Sequence, residues 1–181
     1  MNRKETNFNR MAPQEMKNVA GQLENARAEL MVVVSGLTEE QARTRPAPDR
    51  WSILECLEHV SFVERRFLGM VKGSEAGTAA ERDAAKEAAI EERVLDRINR
   101  RTAPEAVIPT GKYQSLSEAL QDFNTARDET LRFASEQGVN LLTRSASHPV
   151  FGPLNGVEAL LLIADHGRRH TAQMQEAAAG R

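Results

Sequence analysis

An all-α four-helix bundle with long crossover connections is the fold this sequence predicts, and three observations carry that expectation. Apolar residues recur at three- and four-residue steps in four long stretches, and no alternating pattern of any length marks a strand. Aromatic residues make up only 4% of 181, so the core must come from Leu, Val, Ile, Ala and Met, a mixture that favours helices over sheets. Pro- and Gly-rich breaks fall between the long stretches rather than inside them.

Residues 1–12 are polar and are expected to form a flexible N-terminus, ahead of a single domain over 13–178. From Pro13 a first helix is marked by Met16, Val19, Leu23, Ala26, Leu30 and Val33, and Ser35-Gly36 should end it. Thr38 should cap a short turn over 37–42. Pro46 and Pro48 then break the chain. Ser52 and Glu55 form a capping box that opens the second long helix. Its stripe is Ile53, Cys56, Leu57, Val60, Val63, Phe67 and Met70, with His59 at the edge, and Gly73 and Gly77 end the run.

Residues 78–101 are rich in Ala, Glu and Arg, with a thin stripe of Ile90, Val94, Leu95 and Ile98. They predict a helical excursion between two core helices with a mostly solvated surface. Thr102 to Gly111 is an irregular connection. The third long helix starts at Ser115 and ends before Gly138; its buried side includes Leu116, Leu120, Phe123, Ala126, Thr130, Leu131 and Phe133. Residues 139–156 carry two Pro and two Gly between His148 and Gly156, which excludes helix and fits an exposed turn or a short hairpin. Asn155 should cap the last helix, from about Gly156 to Ala178.

A net charge of -2 provides no basic field for nucleic acid, and basic residues are dispersed among acids, so no nucleic-acid partner is expected. The longest uninterrupted apolar run, Ala159 to Ala164, is far short of a membrane span, and the N-terminus lacks the apolar core of a signal peptide. The single cysteine, Cys56, rules out an internal disulfide and fits a reducing compartment. The expected location is cytoplasmic. A homodimer is compatible with a bundle of this type, with no interface legible in the sequence.

The chemistry-bearing residues are histidines. His166 and His170 stand four apart on a face that also carries Ala159, Ile163 and Met174, so both imidazoles leave a largely apolar side of the last helix, while Arg168 and Arg169 project elsewhere. Such a pair is a two-point metal clamp, and His59 on another helix is the candidate third donor. Imidazole suits zinc, nickel, copper and iron alike. Three protein ligands would leave a position for water or substrate. The alternative is three hydrogen-bonded core histidines, because periodicity does not show that the second and last helices face each other at that level.

The other candidates have plainer explanations beside functional ones. His148 precedes Pro149 in a loop and would be a hydrogen-bonded loop residue or line the mouth of the site. Cys56 is favoured as a small buried hydrophobe over a thiolate ligand. Glu55 is accounted for by the capping box, with a hydrogen bond to a ligand histidine as the lesser reading. Asp165 could hold an imidazole or sit on the solvated face. Arg169 and Gln173, one turn apart, could meet a substrate anion, and surface positions are favoured. Trp51 is favoured as a packing anchor over a substrate platform. Phosphate-loop and nucleophile-elbow motifs are absent, and the Glu-x-x-His pairs of di-iron bundles are nearly so.

Four stretches resemble the DinB-like superfamily, the damage-inducible, YfiT-like four-helix bundles. They are Arg50-Trp51-Ser52-Ile53-Leu54-Glu55-Cys56-Leu57-Glu58-His59, Pro109-Thr110-Gly111, His148-Pro149-Val150-Phe151-Gly152-Pro153-Leu154, and Asp165-His166-Gly167-Arg168-Arg169-His170-Thr171-Ala172-Gln173. The resemblance covers most of the chain and implies a mononuclear three-histidine site at His59, His166 and His170. It implies one divalent transition metal, zinc or nickel first, with iron, manganese or copper as alternatives. Family members of this kind include low-molecular-weight-thiol S-transferases and a thiol-dependent isomerase. The implied activity is therefore a metal-dependent thiol transferase acting on a small molecule, with a low-molecular-weight thiol as co-substrate. A metal-dependent hydrolase and a non-catalytic metal-binding bundle are the alternatives. The charged segment 78–101 departs from the family pattern and bears on the access channel rather than on the histidines.

Overall fold

A computed structural model describes residues 13–78, 80–99, 102–136 and 140–180; the expected flexible segment 1–12 and Gly138 lie outside the described residues. The long helices are α1 (Pro13–Val34), α3 (Ile53–Gly73), α5 (Leu116–Ser135) and α6 (Gly156–Ala178). A short α2 (Glu39–Arg43) and an intermediate α4 (Ala84–Leu95) lie between them, with 3-10 turns at Glu105–Val107 and Leu141–Thr143. α1 packs against α5 and α6, and α3 against the same two, so α1 faces α3 across a diagonal and α5 faces α6 across the other. Two of the three links between successive long helices are therefore crossovers, which is why they are long. None of the described helices is long and apolar enough to cross a membrane.

Local signals set the helix ends where the sequence places them. Thr38, Ser52 and Asn155 each accept from the backbone N–H three residues on, and Gln41, Glu55 and Glu158 return the bond to the cap. Ser115 caps α5 through Glu118 N–H. Gly36, past the end of α1, takes φ 82°, a region that disfavours side chains.

The excursion is shorter than its composition suggests. Among its described residues only Ala84–Leu95 is helical, capped by Asp83, and Ile98 lies past its end, 93% exposed. Ile90 and Val94 are the residues it buries, against α6. Residues 145–155 form a hairpin, β1 (Ser145–His148) with β2 (Gly152–Asn155), paired antiparallel from Ser145–Asn155 to His148–Gly152. The strands are four residues each, too short to show as alternation in the sequence.

Among the described residues the core has two apolar clusters. One gathers Leu23, Val63, Phe67, Phe133, Leu160 and Ile163; the other gathers Leu30, Ile53, Leu57, Val60, Phe123 and Met174. At the level where one gives way to the other, Arg127 and Glu64 form a buried ion pair between α5 and α3.

Gly156, the first residue of α6, sets the seating of that helix. Its N–H donates to Arg144 O at 2.9 Å, and a Cβ there would lie 2.4 Å from Leu141 O, a backbone atom that cannot swing aside. Gly156→Ala is expected to lower stability by about 1–3 kcal/mol. Gly21→Ala, in open space on α1, is expected to raise it by about 0.5–1 kcal/mol. Urea unfolding followed by circular dichroism reads both, and a neutral Gly156→Ala would show that the 141–144 turn yields.

Candidate metal centre

α3 and α6 pack side by side, and this contact brings the histidines together. His59 lies seven residues past the Ser52 cap; His166 and His170 lie one turn apart on α6. One donor atom from each lies within 4.8 Å of those of the other two. The ring centroids are 5.0 Å apart for His59 and His166, 4.7 Å for His59 and His170, and 4.6 Å for His166 and His170. His59 and His170 are buried and His166 is half-buried.

Hydrogen bonds orient two of the rings. His59 Nδ1 lies 2.7 Å from Val107 O, a carbonyl that can only accept, so Nδ1 carries the proton. His170 Nδ1 lies 2.9 Å from Gln173 Oε1, which fixes its proton the same way. The Nε2 atoms of both rings are then lone-pair donors. His59 Nε2 and His166 Nε2 stand 3.1 Å apart. Two nitrogens at zinc bond lengths on a tetrahedral ion would be separated by about 3.3 Å.

The surroundings keep the imidazoles neutral. Burial lowers the pKa of His59, against the opposing pull of the Val107 carbonyl. Burial first, then His59, Arg169 and His148, hold His166 well below the usual histidine range. Burial, His166 and His59 do the same for His170, with Arg169 adding to them and Gln173 opposing. Neutral nitrogen donors without a carboxylate suit a borderline transition ion rather than magnesium or calcium, which take oxygen.

The residues around the cluster have defined tasks. The Trp51 ring lies 4.8 Å from that of His59 and 6.0 Å from that of His170, nearly parallel to the latter, so it packs directly on the cluster. Cys56 is fully buried in the core, where burial and Glu55 push its thiol well above the ordinary range, and it is not part of the cluster. The Glu55 carboxylate takes the Ser52 N–H at 2.8 Å and Arg45 Nε at 2.9 Å, completing the helix cap. His148 Nδ1 accepts from Val150 and Phe151 N–H at 3.0 and 3.2 Å, shaping the hairpin turn, and its ring stacks on Phe67. Asp165 is buried with Arg168 at 3.6 Å; burial and Glu91 push its carboxyl up to about 6.

Two residues expected at the surface are engaged inward. Gln173 holds the His170 ring, as described. Arg169 donates to Val94 O at 2.9 Å and to Asp96 O, placing its cation at the C-terminus of α4, where the helix dipole favours positive charge. The sequence could not show this, because nothing in it places the end of α4 against α6.

Two further elements escaped the sequence reading. Val107 O is a backbone acceptor in a 3-10 turn and has no residue-type signature. Glu58 accepts from Thr110 N and Oγ1 and from Gly111 and Lys112 N–H, at 2.7–3.1 Å. Only the Pro109-Thr110-Gly111 stretch hinted at this, and Thr110 and Gly111 are two of the donors.

Fold and cluster together define a helical bundle whose interior carries a three-histidine candidate metal centre. The family model of the DinB superfamily matches residues 22–174, and the chain belongs to that superfamily. It is 28% identical over 158 residues to YuaE of Bacillus subtilis (strain 168), an alignment that covers 83% of this chain and 91% of YuaE. Its fold is similar to that of YfiT from Bacillus subtilis, described as "a probable metal-dependent hydrolase with an unusual four-helix bundle topology". That likeness has a TM-score of 0.59 at 14% identity and covers 99% of this chain and 92% of YfiT.

Proposed function

We propose that His59, His166 and His170 bind one divalent transition metal ion, zinc or nickel ahead of iron, manganese or copper. We further propose that the chain uses the open coordination position as a thiol S-transferase on a small electrophilic molecule. The observation that carries this reading is the convergence of three buried or half-buried imidazoles with no fourth donor grouped with them among the described residues. Three protein ligands are the pattern of a reactive centre, and four that of a structural one. The ion, when bound, supplies Lewis acidity that lowers the pKa of a thiol or water in the open position.

The chain's residues supply the rest. Val107 O and Gln173 hold two imidazoles with Nε2 presented, and Trp51 covers the rings. Among the described residues no carboxylate belongs to the cluster to take up a proton. A thiol, which ionises outright on coordination, therefore makes the smallest demand on this site. A metal-dependent hydrolase using water is the second reading, and the description of YfiT favours it.

The test is tag-free protein loaded with zinc or nickel and screened with several cellular thiols against reactive electrophiles, alongside esters and amides without thiol. Metal- and thiol-dependent consumption of an electrophile is the expected result. Thiol-independent hydrolysis would put the second reading first, and metal uptake without turnover would leave a binding bundle. Below about 0.1 ion per chain, with no uptake on adding either metal, all three metal readings fail.

Gln173→Leu tests the same site from behind the ligand. Loss of the acceptor on His170 Nδ1 is expected to weaken zinc affinity about 10–100-fold, measured by competition with a chromophoric chelator. An unchanged affinity would show that the His170 ring is held by packing alone.

A further inference from the structure

Glu58 precedes His59 on α3, is 7% exposed, and turns toward the loop after the 3-10 turn. Oε1 accepts from Thr110 N at 2.9 Å and Thr110 Oγ1 at 2.7 Å; Oε2 accepts from Gly111 N at 2.9 Å and Lys112 N at 3.1 Å. A buried carboxylate is thus met by four donors from three consecutive residues. Gly111 takes φ 76°, which lets its N–H and that of Lys112 reach one oxygen.

The clamp lies close to His59 along a stiff path. Val107, whose carbonyl takes the His59 Nδ1 proton, is three residues before Thr110. Ile108 and Pro109 lie between. Pro109 has a fixed φ and holds the residue before it extended, and Ile108 sits at φ -69°, ψ 132°. On the other side, Val107 N–H and Ile108 N–H donate back to Pro104 O at 3.0 Å and Glu105 O at 3.2 Å. The Val107 carbonyl is therefore held from both directions.

We infer that Glu58 is a positioning residue for the metal centre. By clamping Thr110–Lys112 it fixes the Val107 carbonyl, and that carbonyl keeps His59 in the Nδ1–H tautomer with Nε2 turned toward His166 and His170. A neutral imidazole without such a partner favours the Nε2–H form, which cannot bind a metal through Nε2. The inference rests on the metal reading of His59 for its affinity consequence, but not for its tautomer consequence.

Glu58→Gln keeps the shape and sets an amide N–H₂ against backbone N–H donors. Thr110→Val removes one of the four bonds, and Thr110→Ser retains the hydroxyl. Two measurements read the series below the melting temperature of every variant. Long-range nitrogen–proton NMR of the His59 ring in metal-free protein reports the tautomer, and chelator competition reports zinc affinity. Glu58→Gln is expected to move His59 from one tautomer to a mixture and to weaken zinc about 10–100-fold. Thr110→Val should shift both readouts less and in the same direction, and Thr110→Ser should restore them.

A folded Glu58→Gln with His59 still Nδ1–H and zinc affinity changed by less than about twofold overturns the inference and leaves the clamp a loop anchor. If Glu58→Gln does not fold, the Thr110 pair decides by the same readouts. If wild-type protein binds no zinc, the metal reading fails while the tautomer measurement still decides the clamp.

Discussion

If the three histidines bind zinc as proposed, His170→Ala is expected to abolish zinc uptake and, with it, the rise in melting temperature expected of the wild-type protein with zinc. His170 is the choice because its ring lies 4.7 Å from that of His59 and 4.6 Å from that of His166, so its loss leaves two donors where three converge. An ion bound only by the folded state stabilises it by about 2.7 kcal/mol at one hundred times the dissociation constant. Wild-type protein should therefore melt higher with zinc than without, and His170→Ala should melt at one temperature in both. The metal-free proteins provide the baseline, since alanine also removes contact with Trp51 and the bond to Gln173. Thermal unfolding by circular dichroism with and without excess zinc, beside elemental analysis, gives the comparison. A variant that still gains the wild-type increment would remove His170 from the ligand set.

The parts of this architecture that were legible in the sequence are those whose physics is local. Ser52 with Glu55 and Asn155 with Glu158 are three residues apart, so their reciprocal bonds follow from spacing, and α3 and α6 begin where those pairs put them. His166 and His170 share a face for the same reason. Periodicity made His59 a candidate third donor but could not say that α3 and α6 are neighbours; the resemblance to a family supplied that link. The contacts that hold the rings and shape their setting were less accessible. Val107 offers a backbone oxygen, which every residue has, from 48 positions away. Arg169 caps a helix whose end lies 73–75 residues upstream. The segment 78–101 shows the opposite failure. Its composition is helical throughout, yet among its described residues only Ala84–Leu95 is helix, where Ile90 and Val94 are buried, while Ile98 is 93% exposed. Tertiary burial, more than propensity, decided its length.

A second large effect is expected far from any histidine bond, at Arg127. Its side chain is 0% exposed and that of Glu64 is 1% exposed. The guanidinium makes two parallel bonds to the carboxylate, both at 2.9 Å, and also donates to Leu23 O. One side chain thus ties α5 to α3 and to α1. Arg127→Met would leave the Glu64 carboxylate buried without its counter-ion and is expected to cost about 3–5 kcal/mol. The double variant Arg127→Met with Glu64→Leu should regain much of that loss, because a matched apolar pair avoids the desolvation that two charges suffer. A double-mutant cycle by urea unfolding separates the two cases, and a single-variant loss below about 1 kcal/mol would show that water or a rearranged neighbour reaches Glu64. The consequence extends to the three-histidine cluster through α6. A Cβ on Gly167 would lie 3.5 Å from Arg127 Nη2, so the guanidinium sits close to the helix carrying His166 and His170. The pair lies between two apolar clusters either of which could have continued through it. A bidentate bond between α3 and α5, unlike apolar contact, tolerates little slippage of one helix along the other, and on α3 it lies five residues from His59. The double variant should therefore recover stability more fully than zinc affinity, a divergence that a purely structural pair would not produce.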